Sequence, residues 1–316
     1  MQEDYNRFIE TIDSPNTAKV VRSLKKIGEY DYSNCTPAMM EHIILSLEPN
    51  SPKSITTIVY ILSLYAKFLG NDNMYHMVKD IDRNALWIIA KPGARKKFIS
   101  YSQFKETFKD IELYEEYNSL YISALFRCIY EGIYSDDMSV IKNLRSSDID
   151  GELVTLRDDN GKTYSLNISE SLAKDLKKLG TINTWSRNNR YGECKIKTTG
   201  LYKDSCFKVE NRKGSAEYAY RYSYYRILRN ISKNYIGYSV LPLHLFISGI
   251  MHDISVNFQK KGIDMEDAFL AGNRNREVGK VIASELARKN YNIEVRNFRE
   301  IVSGHLDIFI SDCERD

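Results

Sequence analysis

Residues 120–166 read LYISALFRCIYEGIYSDDMSVIKNLRSSDIDGELVTLRDDNGKTYSL. The first part has the spacing of an apolar helix, which Gly132 is expected to end, and a second short helix follows. After it come an Asp-Ile-Asp turn and a hairpin whose corner is Asn160-Gly161, a residue pair that favours tight β-turns. Lys162 stands directly after that corner. This stretch therefore predicts the order helix, short helix, turn and two-stranded hairpin.

The chain before this stretch has the pattern of several helices over residues 1–92. Polar residues that favour helix N-caps come directly before apolar-periodic segments, namely Ser14 or Asn16 for one helix and Thr36 for the next. Ser51 precedes a third and longer helix, which Gly70 is expected to end. We therefore expect a helical N-terminal domain at residues 1–92.

Residues 93–99 are the expected linker between two domains. Pro92-Gly93 combines the two strongest helix breakers, and Arg95, Lys96 and Lys97 form a run of positive charge directly after it. A chain of 316 residues is long enough for about two domains. The second domain is therefore expected to span residues 100–316.

Helical patterns also dominate the second domain. We expect a small β-sheet only around residues 153–168, because residues 182–209 show no clear period and helical spacing returns from Ala216. The fold class expected for the whole chain is mainly α with a small β-sheet.

Composition excludes several classes of protein. No run of 18 apolar residues occurs, so no membrane span is expected, and the polar, acidic first residues MQEDYNRFIETIDSPN do not resemble a signal peptide. Five scattered cysteines without a C-x-x-C pair are typical of a reducing cytoplasm. There is no Gly-rich phosphate loop, and His244 and His252 have no third ligand at suitable spacing. We expect a cytoplasmic protein with no cofactor and no metal.

Positive charge and tyrosines are concentrated in residues 181–233. This window has twelve Lys and Arg against four Asp and Glu, together with seven tyrosines. Basic residues interleaved with aromatic ones are typical of a nucleic-acid-binding surface. The alternative is a solvated basic face whose tyrosines belong to the core.

The order of elements in residues 120–166 resembles the catalytic domain of the tyrosine recombinases, the phage-integrase family. There a T-G-L-R-x-x-E-L motif precedes a W-x-D-I-D turn and a strand pair. SITTIVYILSLYAKFLG at residues 54–70 is similar to the S-x-x-T-I-x-x-Y-x-x-x-L-x-x-F helix of that family's core-binding domain. The resemblance implies a tyrosine-recombinase-like fold, with a helical core-binding domain and an integrase-type catalytic domain on either side of double-stranded DNA.

The resemblance also implies where catalytic groups would stand. The arginine that holds the scissile phosphate would come two residues after Gly132, where this chain has Tyr134. A phenol cannot make the charged, bidentate contact of a guanidinium. The hairpin lysine that protonates the leaving 5′-oxygen corresponds to Lys162.

The later catalytic motifs match the chain less well. The H-x-L-R-H-T box corresponds to residues 244–249, which keep His244 but have Ile247 in place of the second arginine. The L-G-H box corresponds to residues 271–273 and puts Asn273 at the histidine. The nucleophilic tyrosine is expected near residue 282, within VGKVIASELARKN, which contains no tyrosine. Tyr291 is the next one in the chain.

These substitutions predict a DNA-binding protein rather than an enzyme, because they remove both arginines and the nucleophile. The chain also resembles the lysogeny repressors of SPβ-like Bacillus phages, proteins of integrase fold that repress instead of recombining. We expect a sequence-specific transcriptional repressor of a prophage. The alternatives are a divergent recombinase that uses Tyr291 as its nucleophile and a protein-binding relic of the fold.

The expected DNA contacts are basic or hydroxyl-bearing residues on the N-terminal helix that starts near Ser51, on the linker and in the second domain. Residues 293–310 are a candidate for self-association, because recombinases exchange C-terminal segments between neighbours. The expected DNA-binding residues are Lys53, Ser54, Thr56, Thr57, Arg95, Lys96, Lys97, Lys162, Arg187, Arg190, Arg212, Lys213, Arg221, Arg226, Arg229, Arg274 and Arg276.

Overall fold

The computed structural model describes residues 2–49, 51–90, 96–111, 116–189, 192–210, 216–269 and 275–313. The chain divides into two compact units, Met1–Lys96 and Lys97–Asp316. We call them the N-terminal unit and the C-terminal unit. Each has its own cluster of buried apolar side chains. Residues 93–95 of the expected linker lie outside the described residues.

The N-terminal unit is built from helices that begin where local capping signals predict. Ser14, rather than Asn16, caps the second helix by accepting a hydrogen bond from the Thr17 amide, and Thr36 accepts one from the Met39 amide. Ser51 and Ser54 form a reciprocal capping box. The helices are α1 (Gln2–Glu10), α2 (Pro15–Ser23), α3 (Pro37–Ser46), α4 (Pro52–Phe68), α5 (Asp72–Lys79) and α6 (Arg83–Ala90), with a 3₁₀ turn at Lys25–Glu29.

The core of the N-terminal unit is centred on α4. One face of this helix is apolar and buried, and its Tyr65 ring lies edge-on against Tyr5 and Tyr32, with centroid distances of 5.2 and 5.7 Å. After α4 the chain turns at Gly70, whose φ of +63° suits a glycine. α5 then packs back against α4 through Met74 and Val78.

The C-terminal unit combines many helices with short strands. It begins with α7 (Tyr101–Ile111), α8 (Glu116–Glu131) and α9 (Ser139–Lys142), followed by the sheet of β1 (Ile149–Asp150), β2 (Leu153–Arg157) and β3 (Thr163–Asn167). After α10 (Glu170–Thr181) come β4 (Thr184–Asn189), β5 (Gly192–Thr199) and β6 (Val209–Glu210). The remaining helices are α11 (Ala216–Ile231), α12 (Pro242–Lys260), α13 (Met265–Phe269), α14 (Arg276–Arg288), α15 (Val295–Val302) and α16 (Leu306–Cys313).

The expected fold class, mainly α with a small β-sheet, is confirmed. Helix α8 ends at Glu131, directly before Gly132, whose φ is +113°. The short helix, the turn and the β2–β3 hairpin then follow in the predicted order. This is the order of elements that the resemblance to tyrosine recombinases implies for residues 120–166.

The expectation of a single sheet is wrong. Strands β4, β5 and β6 form a second three-stranded antiparallel sheet within residues that show no sequence period. Strand β4 reads TWSRNN, and a mostly polar strand lacks the apolar alternation from which strands are predicted. Its order comes from backbone pairing with β5 instead.

The segment that follows the second sheet's hairpin is anchored to buried groups. The Cys206 amide donates to the Leu144 carbonyl at 2.9 Å. The buried Lys208 ammonium donates to the Gly180 carbonyl, in the last turn of α10, at 2.8 Å and to the Ile182 carbonyl, directly after that helix, at 3.0 Å. A lysine at this position satisfies carbonyl groups that the end of the helix leaves without partners.

The end of α8 lies very close to α12. A Cβ atom added at Gly249 would lie only 1.8 Å from the Tyr130 carbonyl oxygen, so this position of α12 accepts no side chain. The close approach brings the turn after α8 next to the middle of α12. It thereby positions both elements around the pocket described below.

Candidate functional site

A pocket of about 260 Å³ lies in the C-terminal unit between the turn after α8, the β2–β3 hairpin, α12 and the segment after α14. We call it the Tyr134 pocket. It brings together two residues that sequence comparison places at catalytic positions and the tyrosine that is the alternative nucleophile. Its lining is Tyr134, Ser135, Asp136, Val140, Asp158, Lys162, Tyr164, Phe246, Lys289, Asn290, Tyr291 and Asn292.

Tyr134 occupies the position where the family's first arginine is expected. Its ring stacks on Phe246 with centroids 4.8 Å apart, and its hydroxyl donates a 2.8 Å hydrogen bond to the Asp136 carboxylate. Burial raises the pKa of the Tyr134 phenol, and the hydrogen bond to Asp136 raises it further. The side chain is therefore a neutral donor, and its proton points to a carboxylate.

Lys162 stands directly after a hairpin corner that hydrogen bonds hold against the end of α9. The Lys142 ammonium and the Asn143 amide bind the two Asp159 oxygens at 2.5 and 2.8 Å. Asp158 accepts a hydrogen bond from the Lys162 amide at 2.8 Å. The Lys162 side chain is exposed, and its Nζ donates to Asn290 Oδ1 at 3.3 Å.

Tyr291 is on the opposite wall, three residues after the end of α14. Its ring lies edge-on against Phe246 with a centroid distance of 5.2 Å, so Phe246 contacts both Tyr134 and Tyr291. Burial raises the pKa of the Tyr291 phenol, and the negative charge of Asp136 adds to that effect. Tyr291 therefore resists loss of the proton that a phenol must lose to act as a nucleophile.

Lys289 anchors the wall that carries Tyr291. It is 5% exposed, and its ammonium donates to the Glu131 carbonyl and lies 3.2 Å from the Asp253 carboxylate. Gly132 leaves room for this side chain, because a Cβ there would lie 2.4 Å from Lys289 Cδ. Burial lowers the pKa of the Lys289 ammonium, and Asp253 partly opposes that shift.

The charged groups of the Tyr134 pocket have both signs. Lys162 and Lys289 are positive, whereas Asp136 and Asp158 are negative. No arginine lines the pocket within the part of the chain that the structure describes. Arg127 lines an adjoining pocket of about 330 Å³ that shares Lys289, but it is bound to Asp175 at 2.7 Å.

His244 and Ile247, two other expected catalytic positions, do not line this pocket. His244 is on α12, and its ring lies edge-on against Phe98 with a centroid distance of 5.2 Å. Ile247 is fully buried in the core. Asn273 lies outside the described residues. The sequence analysis missed Asp136, which stands only two residues after Tyr134. It also missed Phe246 and Asn290, which only tertiary packing brings next to Tyr134 and Lys162.

The structure describes some of the expected DNA-binding residues. Lys53 is exposed and Thr57 is half-buried on α4; the Thr56 and Thr57 hydroxyls donate to carbonyls one turn earlier, and Ser54 completes the capping box. Lys96, Arg226, Arg229 and Arg276 are exposed, and Lys97 is half-buried. Arg95, Arg190, Arg212, Lys213 and Arg274 lie outside the described residues, as do the side chains of Arg187 and Arg221.

Among the described residues, no three His, Cys, Asp or Glu side chains are grouped so that they could hold a metal ion. His252 stacks on Tyr101 at a centroid distance of 3.9 Å. None of the helices in the described ranges is long and apolar enough to cross a membrane.

The fold and the order of elements define a mainly helical protein whose C-terminal unit adds short strands to its helices. The family model described as the C-terminal catalytic domain of MrpR matches residues 104–268, which is 165 of the 316 residues. The chain belongs to this MrpR family.

Comparisons with individual proteins add the following. No curated protein matches the chain. A solved structure that matches is the crystal structure of XerA recombinase, at 17% identity, with 96% of this chain and 98% of that chain covered and a TM-score of 0.36.

Proposed function

We propose that this protein is a sequence-specific double-stranded-DNA-binding repressor of transcription, built on a catalytically inactive tyrosine-recombinase fold. The observation that carries the proposal is the Tyr134 pocket. Where tyrosine recombinases need a guanidinium, this chain has the neutral phenol of Tyr134, which is hydrogen-bonded to the Asp136 carboxylate.

Electrostatics of the pocket support the loss of cleavage. The transition state of phosphoryl transfer at a DNA backbone concentrates negative charge on the phosphate oxygens, and recombinases stabilise it with arginines. Here Asp136 and Asp158 offset the charges of Lys162 and Lys289. A carboxylate beside a phosphate also repels it, so the pocket disfavours the reaction that the fold performs elsewhere.

A repressor needs affinity and a means of reading sequence, and both can remain when cleavage is lost. Phosphate contacts dominate affinity, whereas contacts to base edges give specificity. Exposed cations such as Lys53, Arg226 and Arg229 support the first role. A protein that occupies a promoter represses it without chemistry, and the lysogeny repressors that the chain resembles support a prophage promoter as the target.

A divergent recombinase is the second candidate, because Tyr291 and Lys162 line the same pocket. In that reaction the Tyr291 oxygen would attack the phosphorus and form a phosphotyrosyl bond. The bond between phosphorus and the 5′-oxygen would break, and Lys162 would protonate the leaving oxygen. The raised pKa of Tyr291 and the absence of an arginine from the described lining both oppose this candidate.

One experiment separates the two candidates. The purified protein is incubated with duplex fragments of its own genome at near-physiological salt, and the bound fragments are sequenced and tested for SDS-resistant adducts. We expect a few enriched sequences near promoters, lower transcription from those promoters in vitro, and no adduct. Adducts that disappear in Tyr291→Phe would instead establish the recombinase.

Binding that shows no sequence preference and no salt dependence would contradict both candidates and favour a protein-binding relic. Self-association through residues 293–310 stays a prediction. In the structure Phe298, Val302 and Phe309 of that segment are buried in the core of their own unit.

A further inference from the structure

Helix α4 has an exposed stripe opposite its buried face. Residues at positions 53, 56, 60 and 67 are spaced by three, four and seven, which keeps them on one side of a helix. Lys53, Thr56 and Lys67 are exposed, and Tyr60 between them is 56% exposed. The stripe thus has a lysine near each end and hydroxyl-bearing side chains in the middle.

At the C-terminal end of this stripe, Lys79 of α5 and Lys67 of α4 lie against the same tyrosine ring. The Lys67 Nζ lies 5.0 Å from the centroid of the Tyr75 ring, and the Lys79 Nζ lies 4.9 Å from the same centroid. The turn at Gly70 and the packing of α5 on α4 create this arrangement. We call Lys67, Tyr75 and Lys79 the two-lysine cluster.

The positive charge of this cluster is not compensated by a neighbouring carboxylate. Neither ammonium forms an ion pair with an Asp or Glu in the described ranges, although Asp72 and Asp80 stand on or next to the same helix. Lys79, and to a smaller extent Lys67, lowers the pKa of the Tyr75 phenol in spite of its partial burial. Two ammonium groups held at one ring repel each other, and an anion between them removes that repulsion.

We propose that the two-lysine cluster binds a backbone phosphate of double-stranded DNA. This proposal rests on the DNA-binding function proposed above and adds a contact at the end of α4 remote from Lys53. The Cα atoms of residues 53 and 67 are about 21 Å apart along a helix axis, at 1.5 Å per residue. The major groove is about 12 Å wide, which is less than this separation. A helix that lies across the groove therefore places the lysines at its two ends near the phosphates on the two sides of the groove.

The test compares the full-length protein with Lys67→Gln/Lys79→Gln by fluorescence anisotropy on one duplex at several salt concentrations. Each phosphate contact contributes about 0.9 to the slope of log K against log salt. We expect the slope of the double variant to be smaller by about 0.9, because the cluster binds one phosphate. Between 50 and 200 mM salt, the wild type should then lose roughly 3.5-fold more affinity than the variant.

Two matched variants keep the result specific. Lys19→Gln/Lys25→Gln removes two other exposed lysines of the N-terminal unit and should leave the slope unchanged within error. Lys67→Arg/Lys79→Arg keeps both charges and should also keep the slope. All four positions are exposed, so we expect wild-type circular dichroism and thermal unfolding for each variant.

The outcomes separate this proposal from the function on which it rests. A double variant with the slope of the wild type would overturn the two-lysine cluster as a phosphate site while DNA binding stands. An equal loss in the Lys19 and Lys25 control would also overturn it, because net charge would then explain the effect. A wild type that binds no duplex in a salt-dependent way would overturn both proposals.

Discussion

Gly249 is a residue at which α8 and α12 lie close together. A methyl group there would meet the Tyr130 carbonyl, which belongs to the rigid end of a helix and cannot move aside. Gly279 on α14 has open space at its Cβ position. Position 249 therefore rejects a side chain, whereas position 279 has room for one.

We expect Gly249→Ala to lower the free energy of unfolding by at least about 2 kcal/mol, because α12 must move away from α8. Gly279→Ala should raise it by about 0.5–1 kcal/mol, because alanine restricts the unfolded chain and favours the helix. Urea unfolding followed by circular dichroism measures both changes. Equal and small effects at the two positions would show that the close contact between α8 and α12 does not exist.

At the scale of single elements, α4 has two different faces, one buried in the core and one exposed to solvent. The buried face supplies Ile55, Leu62 and Tyr65 to the core, and the opposite stripe is open to solvent. The capping box satisfies amide groups of the first turn and so stabilises the start of this helix. A rigid helix with a polar stripe suits the reading of base edges in a major groove.

Tyr60 lies in the middle of this stripe and should contribute to specificity rather than to overall affinity. We expect Tyr60→Ala to weaken binding to the enriched sequence by roughly five- to tenfold, while binding to an unrelated duplex and the salt slope stay the same. Competition binding with both duplexes measures this ratio. Ile88→Ala, an exposed apolar residue on α6 at 71% exposure, is the control. If Tyr60→Ala weakened binding to both duplexes equally, Tyr60 would not be a specificity residue.

At the scale of the whole molecule, the two units have separate cores. Leu62 is fully buried in the core of the N-terminal unit, and Leu125 is fully buried in that of the C-terminal unit. Proteins with more than one core often unfold in more than one step. We therefore expect two transitions in thermal or denaturant unfolding of the full chain.

The assignment of each transition follows from a pair of matched core truncations. Leu62→Ala and Leu125→Ala should each cost about 2–5 kcal/mol and should each shift one transition and leave the other in place. Differential scanning calorimetry resolves the two steps. One transition that shifts with both variants would mean that the two cores unfold as a single cooperative unit.

The C-terminal unit holds Lys162 and Tyr134 in different ways. Lys162 stands on a hairpin that Asp159 fixes to the end of α9. Tyr134, where the resemblance to tyrosine recombinases implies an arginine, donates its proton to Asp136. This arrangement supports the proposed function, in which the fold binds DNA without cleaving it.

Much of the fold was predictable because its signals are local. Thr36 and Ser51 start helices through hydrogen bonds to amides three residues later, and Asn160-Gly161 turns a hairpin through its own backbone preferences. The second sheet was not predictable, because β4 is mostly polar and its order comes from pairing with β5.

The sequence by itself determined where the helices begin, that Lys162 stands on a hairpin, and that Tyr134 replaces an expected arginine. Each of these depends on residue type and on neighbours within a few positions. Only the tertiary structure decided that Tyr291 faces the same pocket as Lys162, that His244 packs on Phe98 instead, and that two lysines meet at Tyr75. Those contacts arise from the packing of helices and loops that are distant in the chain or turned back by a glycine, which no local pattern encodes.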